Sequence, residues 1–358
     1  MSQSRNIPVL QALLAAVLFG SSTPISKLLL SDVDPVPLAA ILYLGSGIGA
    51  ALLLLFKKFD PVSKKKEANL SLTDIPWMIG AVFAGGVAAP IILLFSLQAT
   101  PAASASLLLN FESVATTIIA MIVFKEAVDK RILLAMISIT LASILLSWDG
   151  NNNWGLSIGA LGILGACFFW GMDNNFTRKI SAKNPLSLVA IKGIGAGSFS
   201  LILALILRKP LPGIEIILLA ALIGFVCYGI SIALFIRAMR SLGASRTSTL
   251  FGAAPFVGMS LSIVIFNVVP NGLFWATIPL LLAGMYLMFS EQHDHTHKHE
   301  PVEHEHCHMH PDSHHIHEID SEVAFEGEHS HWHMHEELEH CHSHTPDIHH
   351  WHDHPAET

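Results

Sequence analysis

Residues 132–146 read Ile132-Leu133-Leu134-Ala135-Met136-Ile137-Ser138-Ile139-Thr140-Leu141-Ala142-Ser143-Ile144-Leu145-Leu146, a run in which every position is apolar or small. A helix of this composition has no polar face to turn to water, so it belongs in a bilayer rather than on a soluble core. Crossing a hydrocarbon layer of about 30 Å takes about 20 mainly apolar residues. Residues 1–290 supply ten such stretches, near 8–30, 36–56, 75–98, 101–124, 131–148, 154–177, 186–207, 212–236, 244–268 and 271–290. Pro, Gly, Asn or clustered charge separates them. The first continues past Gly20 into Leu28-Leu29-Leu30, which makes it a full span and not a cleaved leader.

Composition supports this. Of 358 residues 52% are hydrophobic and 13% charged, where a soluble chain carries about a quarter charged. An ordinary soluble enzyme is therefore excluded as the expectation. The averages conceal two materials, because all 22 histidines lie between His293 and His354. Residues 291–358 also hold 17 of the 28 acids and one of the 20 bases, Lys298, a formal charge of −16 there against +8 before it. Cys167 and Cys227 stand in apolar runs, and Cys307 and Cys341 among histidines, with no disulfide spacing.

Lys and Arg near the ends of the spans divide unevenly. Fifteen, among them Arg5, Lys57, Lys58, Lys64, Lys65, Lys66, Lys125, Arg178, Arg237 and Arg240, fall on one side; only Lys27, Arg208 and Lys209 fall on the other. The positive-inside rule then puts both termini in the cytoplasm, which an even number of spans allows.

The first 290 residues also repeat. A shift of 142 lays Ala102-Ala103-Ser104 over Ala244-Ser245-Arg246, Ser113 over Pro255 and Phe124 over Phe266, while a shift of 151 lays Phe19-Gly20 over Trp170-Gly171. Each half has five spans, an odd number, so the second enters the membrane inverted, the construction of many carriers.

Phe19-Gly20, Trp170-Gly171, the run Ala102-Ala103-Ser104-Ala105-Ser106-Leu107-Leu108-Leu109-Asn110-Phe111-Glu112-Ser113, the closing Phe124-Lys125-Glu126, and Gly243-Ala244-Ser245 through Ala254-Pro255 together resemble the drug/metabolite transporter superfamily, in particular its EamA-type permeases. The resemblance covers about residues 1–290. It implies alternating access around a central cavity lined mainly by the first, third, fourth, sixth, eighth and ninth helices. One departure is that the acid Glu126 of the first half is Val268 in the second.

The fold expected is thus all-α: a polytopic membrane protein of ten transmembrane helices in two inverted five-helix repeats, 1–148 and 149–290, with a disordered acidic tail at 291–358. It is expected in a cell membrane, of the bacterial cytoplasmic kind, with the lipid bilayer and a small solute or metal as partners and no nucleic acid. No enzyme activity is expected, and oligomeric state is open.

Charge deep in a bilayer costs about 2.5–3.5 kcal/mol per group on insertion scales, so it faces protein or a water-filled cavity. Glu112, near the middle of the fourth span, reads as a coupling acid or a contact for a polar or cationic solute, or else as a buried acid stabilising helix packing. Ser106, Asn110, Ser113 and Thr117 are spaced four, three and four and form a stripe from which Glu112 is turned well away. A regular helix cannot present all five to one ligand, so either it is distorted or Glu112 serves another purpose. Small polar residues of this kind fit helix packing as well as substrate contact. Trp170, Asp173 and Asn174 with Asn175 lie toward one end of the sixth span and would line a gate or solvate a helix end. Lys192 is expected to snorkel to the surface rather than pair with Glu112. Exposure at the opposite surface is the expected reason for Lys27 and Gln98. The candidate solute contacts are Ser106, Asn110, Glu112, Trp170, Asp173 and Asn174, with Glu112 as the coupling group. No phosphate-loop motif is present, so transport is expected to be secondary and to require no cofactor.

The tail carries its own chemistry. His293, His295, His297 and His299 alternate, as do His304, His306, His308 and His310, and His331, His333 and His335. The segment His306-Cys307-His308-Met309-His310-Pro311-Asp312-Ser313-His314-His315 returns as His340-Cys341-His342-Ser343-His344-Thr345-Pro346-Asp347-Ile348-His349-His350. Imidazole and thiolate suit zinc, nickel, cobalt or copper, and a flexible alternating chain offers several interchangeable ligand sets. With its charge and low apolar content the tail is expected to be disordered without metal. Two readings follow: the carrier moves a small organic solute while the tail senses or buffers metal, or it moves a divalent transition metal or its chelate that the tail collects.

Overall fold

The computed structural model describes residues 3–59, 70–123, 130–147, 157–180, 183–242, 247, 250–268, 270 and 272–289, and four stretches of the tail, 293–299, 302–308, 329–335 and 338–344. The helices are α1 (Gln3–Leu29), α2 (Pro35–Phe59), α3 (Ile75–Ala81), α4 (Ala89–Ala99), α5 (Ala102–Leu108), α6 (Phe111–Val123), α7 (Lys130–Ser147), α8 (Ile158–Ile180), α9 (Pro185–Ile206), α10 (Ile214–Ile223), α11 (Ser231–Leu242), α12 (Ala254–Phe266) and α13 (Gly272–Phe289). A π-helical turn, Val82–Ala88, joins α3 to α4, and another, Gly224–Ile230, joins α10 to α11. The two turns stand 142 residues apart, the interval of the sequence repeat.

Among the described residues, seven continuous helical segments are long and apolar enough to cross a membrane: Ile7–Leu29, Pro35–Phe56, Leu72–Ala99, Ala102–Val123, Lys130–Ser147, Pro185–Ile206 and Ile214–Ala238. α8 runs 23 residues and carries Asp173, Arg178 and Lys179 toward its end. α12 and α13 are shorter apolar helices. Helices suit such residues because every backbone N–H and C=O between the ends is satisfied within the segment, with no water needed. Side chains such as Leu10, Leu14, Ile137, Leu141, Leu218 and Leu222 are exposed, an outer apolar surface far larger than soluble monomers leave uncovered.

Helix ends follow local chemistry. Asn184 caps α9, its side chain accepting from the Ser187 amide at 3.2 Å, with Pro185 at the first helical position. Asn267 ends α12 in the left-handed region at φ 49°. Lys27, expected to be merely exposed, is half-buried and caps α4: its ammonium donates to the carbonyls of Gln98 at 3.2 Å and Thr100 at 3.1 Å, and to that of Leu97. These are the acceptors that the end of a helix leaves free. Gln98 itself is exposed.

Packing ties the two halves of the repeat together. α2 lies against α9 with backbones touching, since a Cβ on Gly193 would stand 2.5 Å from the Gly47 Cα. α7 packs on α13, and the Ser138 hydroxyl donates to the Leu280 carbonyl at 2.7 Å, again across 142 residues. α1 crosses α11 and α12, while α8 crosses α3, α4 and α6. The main core surrounds Leu94, Leu97, Leu108, Ile163, Cys167, Trp170, Cys227 and Tyr228.

In the tail, β1 (His293–His299) pairs antiparallel with β4 (Leu338–His344), and β2 (Val302–His308) with β3 (His329–His335). These four stretches are extended and paired, and the rest of the tail lies outside the described residues. The alternation His-x-His has the two-residue period of a strand.

Candidate functional site

The site grows from a break in the fourth span. Between α5 and α6, at Leu109 and Asn110, the backbone tightens to three-residue spacing: the amides of Asn110, Glu112 and Ser113 donate to the carbonyls of Leu107, Leu109 and Asn110 at 3.1, 3.1 and 3.3 Å. Asn110 also donates its side-chain amide to the same Leu107 carbonyl at 3.0 Å. The helix is distorted here, yet the stripe and Glu112 do not converge: Ser106, Ser113 and Thr117 donate to local carbonyls, and Glu112 meets another helix.

Downstream of the break, Glu112 meets α8. The Asn174 side chain donates to Glu112 Oε1 at 2.8 Å and to Thr116 Oγ1 at 3.1 Å. Asn175 donates to the carbonyls of Thr116 at 3.1 Å and Gly171 at 2.8 Å. Gly171 makes this closeness possible, because a Cβ there would sit 2.9 Å from the Ala115 carbonyl carbon and the Thr116 amide nitrogen. Gly20 does the same for the other half: its Cβ would fall 2.2 Å from the Ala254 carbonyl oxygen and 3.1 Å from Val257. Ala115 and Val257 are equivalent under the 142-residue shift, so the glycines of Phe19-Gly20 and Trp170-Gly171 have one steric role in each half.

A second polar group lies on the neighbouring face of α8. The Lys192 ammonium contacts both Asp173 carboxylate oxygens, at 2.6 and 2.7 Å, and Thr177 Oγ1 at 3.2 Å; Thr177 in turn donates to Asp173 Oδ1 at 2.8 Å. This corrects the expectation that Lys192 snorkels: its side chain is 17% exposed and that of Asp173 11%. Inside an apolar bundle, a carboxylate one helix away gives an ammonium a nearer partner than water. Neither Asp173 nor Asn175 serves merely to solvate a helix end, since both are buried with fixed partners.

Asp173 rests on the π-turn of the third span, where a Cβ on Gly85 would overlap its carboxylate. The Gly85 carbonyl accepts from Tyr43 Oη at 2.8 Å and from Trp170 Nε1 at 3.1 Å. Such turns release carbonyls from the helical ladder, and in an apolar interior a released carbonyl needs a donor.

Tyr43 also starts a chain of aromatic rings. Tyr43 and Tyr228 lie 5.7 Å apart, Phe19 and Tyr228 5.9 Å, Phe19 and Phe251 5.3 Å, and Phe235 and Phe251 4.7 Å between ring centres. Trp170 and Phe19, matched by the repeat, therefore stand beside a charged cluster and an aromatic chain respectively.

Of the six expected solute contacts, the structure brings together Glu112 with Asn174, and Trp170 with Asp173 on the same helix around Gly85. Ser106 and Asn110 lie apart from them. Ser106 donates to its own helix at Ala102 and packs where a Cβ on Gly258 would meet it. Ser113 and Thr117 likewise donate to carbonyls of their own helix. The sequence reading missed Thr116, Thr177 and Tyr43; the pair Gly85-Gly86 with Pro90 does mark the third span as a hinge or close-packing site. Thr177 follows Asp173 by four residues, a signal that one helix face was polar; Tyr43 carries no such signal, because only the meeting of three spans brings it to Gly85 and Trp170.

For metal, no three His, Cys, Asp or Glu side chains converge among the described residues. In the tail, His293, His295 and His297 stand opposite His344, His342 and His340 in the β1–β4 register. His304, His306 and His308 stand opposite His333, His331 and His329 in β2–β3. Cys341 is paired with Thr296, Cys307 with Ser330, His299 with Leu338 and His335 with Val302. His310, His314, His315, His349 and His350, and Glu126 of the membrane part, lie outside the described residues.

Comparison with known proteins agrees with this architecture. A protein from Methanothermobacter thermautotrophicus, described as an uncharacterized transporter, is 25% identical over 292 residues, covering 77% of this chain and 84% of that protein. A solved structure titled only "Crystal structure of protein" superposes with a TM-score of 0.56 at 17% identity, over 77% of this chain and 94% of that one, a likeness of fold alone. The EamA-like transporter family matches twice, over residues 6–148 and again over 157–290. A twice-matched helical membrane chain whose two matched segments meet through the hydrogen bonds of Asn174 and Asn175 to Glu112 and Thr116 is thus a membrane transporter and belongs to the EamA-like transporter family.

Proposed function

We propose that this chain is a secondary carrier of a small metabolite or drug-like solute. Ten spans in two inverted halves, with both termini cytoplasmic, rock about the polar cluster in alternating access. Glu112 is the coupling group, and Trp170, Asp173 and Asn174 border the solute path. One observation carries this reading: Glu112, on the first family-matched segment, is held by Asn174, on the second, amid apolar helices. Among the described residues Glu112 has no ion-pair partner, since Lys192 places its short contacts on Asp173. An uncompensated carboxylate in a bilayer takes up a proton or a cationic group, and a carrier that alternates between the two couples their movements.

Ser106 and Asn110 shape the break and the packing of the fourth span, and so position Glu112 without touching solute. Proteoliposomes with an internal pH dye, challenged with a panel of organic cations and metabolites, test the proposal. The parent chain is expected to give proton flux with one class of solute, and Glu112→Gln to abolish it while remaining folded. Undiminished flux in that variant removes Glu112 from the mechanism.

The histidine-rich tail supports a second reading, in which a divalent transition metal or its chelate is the cargo and the tail collects it. The membrane part before residue 291 has no histidine, which favours a chelate or hydrated ion over a bare soft ion. Cellular zinc, nickel and cobalt, measured after expressing the full chain, a chain ending at Ser290 and Glu112→Gln, separate the two. A change in one metal that requires Glu112 makes it cargo; a change that follows the tail alone makes the tail a buffer.

A further inference from the structure

Away from the polar cluster, a cleft of about 330 Å³ opens on the side of the bundle, at one end of the helices. Leu53 and Phe56 of α2, Leu186 of α9, and Ile230, Leu234 and Arg237 around α11 line it. It straddles the two family-matched segments, since α2 belongs to the first and α9 and α11 to the second.

The lining is apolar save for one guanidinium. Arg237 is half-buried and makes no hydrogen bond or ion pair with any described residue. It lies at the boundary of the apolar segment, which ends at Ala238. Phe56 is 72% exposed beside it. In sequence, Lys57 and Lys58 follow Phe56 directly, and Arg240 follows Arg237 by three residues.

We propose that this cleft is a binding site for an anionic phospholipid, with Arg237 on the headgroup phosphate and an acyl chain along Leu53, Leu186, Ile230 and Leu234. Charge complementarity selects the occupant. Six apolar side chains, Ala233 among them, beside one guanidinium that has no partner among the described residues match a chain beside a phosphate, and a basic pocket between spans at the membrane boundary is where such headgroups are held. A guanidinium offers a phosphate paired donors in its own geometry. A soluble phosphate would leave the apolar wall uncovered, and a zwitterionic lipid would bring a cation to a basic rim. Because the cleft is shared by both segments, an occupied site ties α2 to α9 and α11, so the lipid biases any motion of one segment against the other.

Native mass spectrometry of the delipidated full chain, titrated with phosphatidylglycerol or phosphatidylcholine, tests this site. The parent chain is expected to retain one phosphatidylglycerol about tenfold more tightly than phosphatidylcholine, and Arg237→Gln to lose that preference. Ala233→Phe, which fills the cleft from its floor, is expected to displace the lipid while leaving Arg237 in place. Arg208→Asn, at the other end of the bundle and at a φ of 51° that asparagine accepts, is expected to change nothing. Equal retention of the two lipids by the parent chain overturns the proposal, as does an unchanged preference in Arg237→Gln. Competition by glycerol 1-phosphate as effective as by the lipid also overturns it, since the site would then bind a free phosphate.

Discussion

Asp173 and Lys192 show what a single pair of residues must do in this environment. Each alone would be a buried charge with no water to solvate it; together, with Thr177 completing the shell, they form a neutral unit. Such pairs contribute little net stability against an apolar replacement, yet breaking one strands the other charge. Asp173→Asn is therefore expected to cost about 3–5 kcal/mol, read as a lower unfolding temperature in detergent. Asp173→Leu combined with Lys192→Met is expected to regain most of the loss. A single variant that unfolds with the parent would contradict the burial of the pair.

Glu112 differs because its partner is an amide and not a base. Under the proposed function, that difference makes Glu112, and not Asp173, the acid that exchanges its counter-charge.

At the scale of elements, close approach decides the geometry. α8 can lie on α6 because residue 171 is Gly, and α1 on α12 because residue 20 is Gly. The steric distances order the consequences: a Cβ would meet backbone at 2.2 Å from Gly20 and 2.9 Å from Gly171, whereas Gly165, also on α8, has nothing within 4 Å. Gly20→Ala is expected to be the most damaging, Gly171→Ala intermediate at about 1–3 kcal/mol, and Gly165→Ala neutral or stabilising by up to about 1 kcal/mol. Membrane-inserted yield and unfolding temperature of the three variants check this order. A uniform response would mean that alanine acts through helix propensity and not through contact. The paired π-turns belong to this scale too, since each interrupts a long span at the same position of the repeat, and one hands the Gly85 carbonyl to Tyr43 and Trp170.

At the scale of the molecule, a helical part matched from 6 to 290 and an acidic histidine-rich tail obey different physics. The tail strands pair with one another. A chain ending at Ser290 is thus expected to insert and unfold like the full chain while losing most zinc or nickel binding. Metal retention by the full chain should fall steeply as pH drops below about 6.5, because imidazole must lose its proton to ligate. Equal binding at pH 5 and 7.5 would exclude imidazole as the ligand.

The sequence by itself determined the membrane environment, the position of most spans and the division into two matched halves. Those properties depend on composition and local period, and Ile132 to Leu146 or Trp170-Gly171 state them without reference to any other part of the chain. It also posed the right alternative for the fourth span, because stripe spacing alone shows that Ser106, Asn110 and Glu112 cannot share a regular helix face. Only the tertiary structure decided which groups are partners. Asp173 and Lys192 are 19 residues apart, Glu112 and Asn174 62, and Trp170 and Gly85 85. At such separations helix periodicity carries no information, and the crossing of α8 over α3, α4 and α6 determines which side chains meet. Lys192 is the clearest case: its length permits either snorkelling or pairing, and the carboxylate that the fold sets beside it selects pairing.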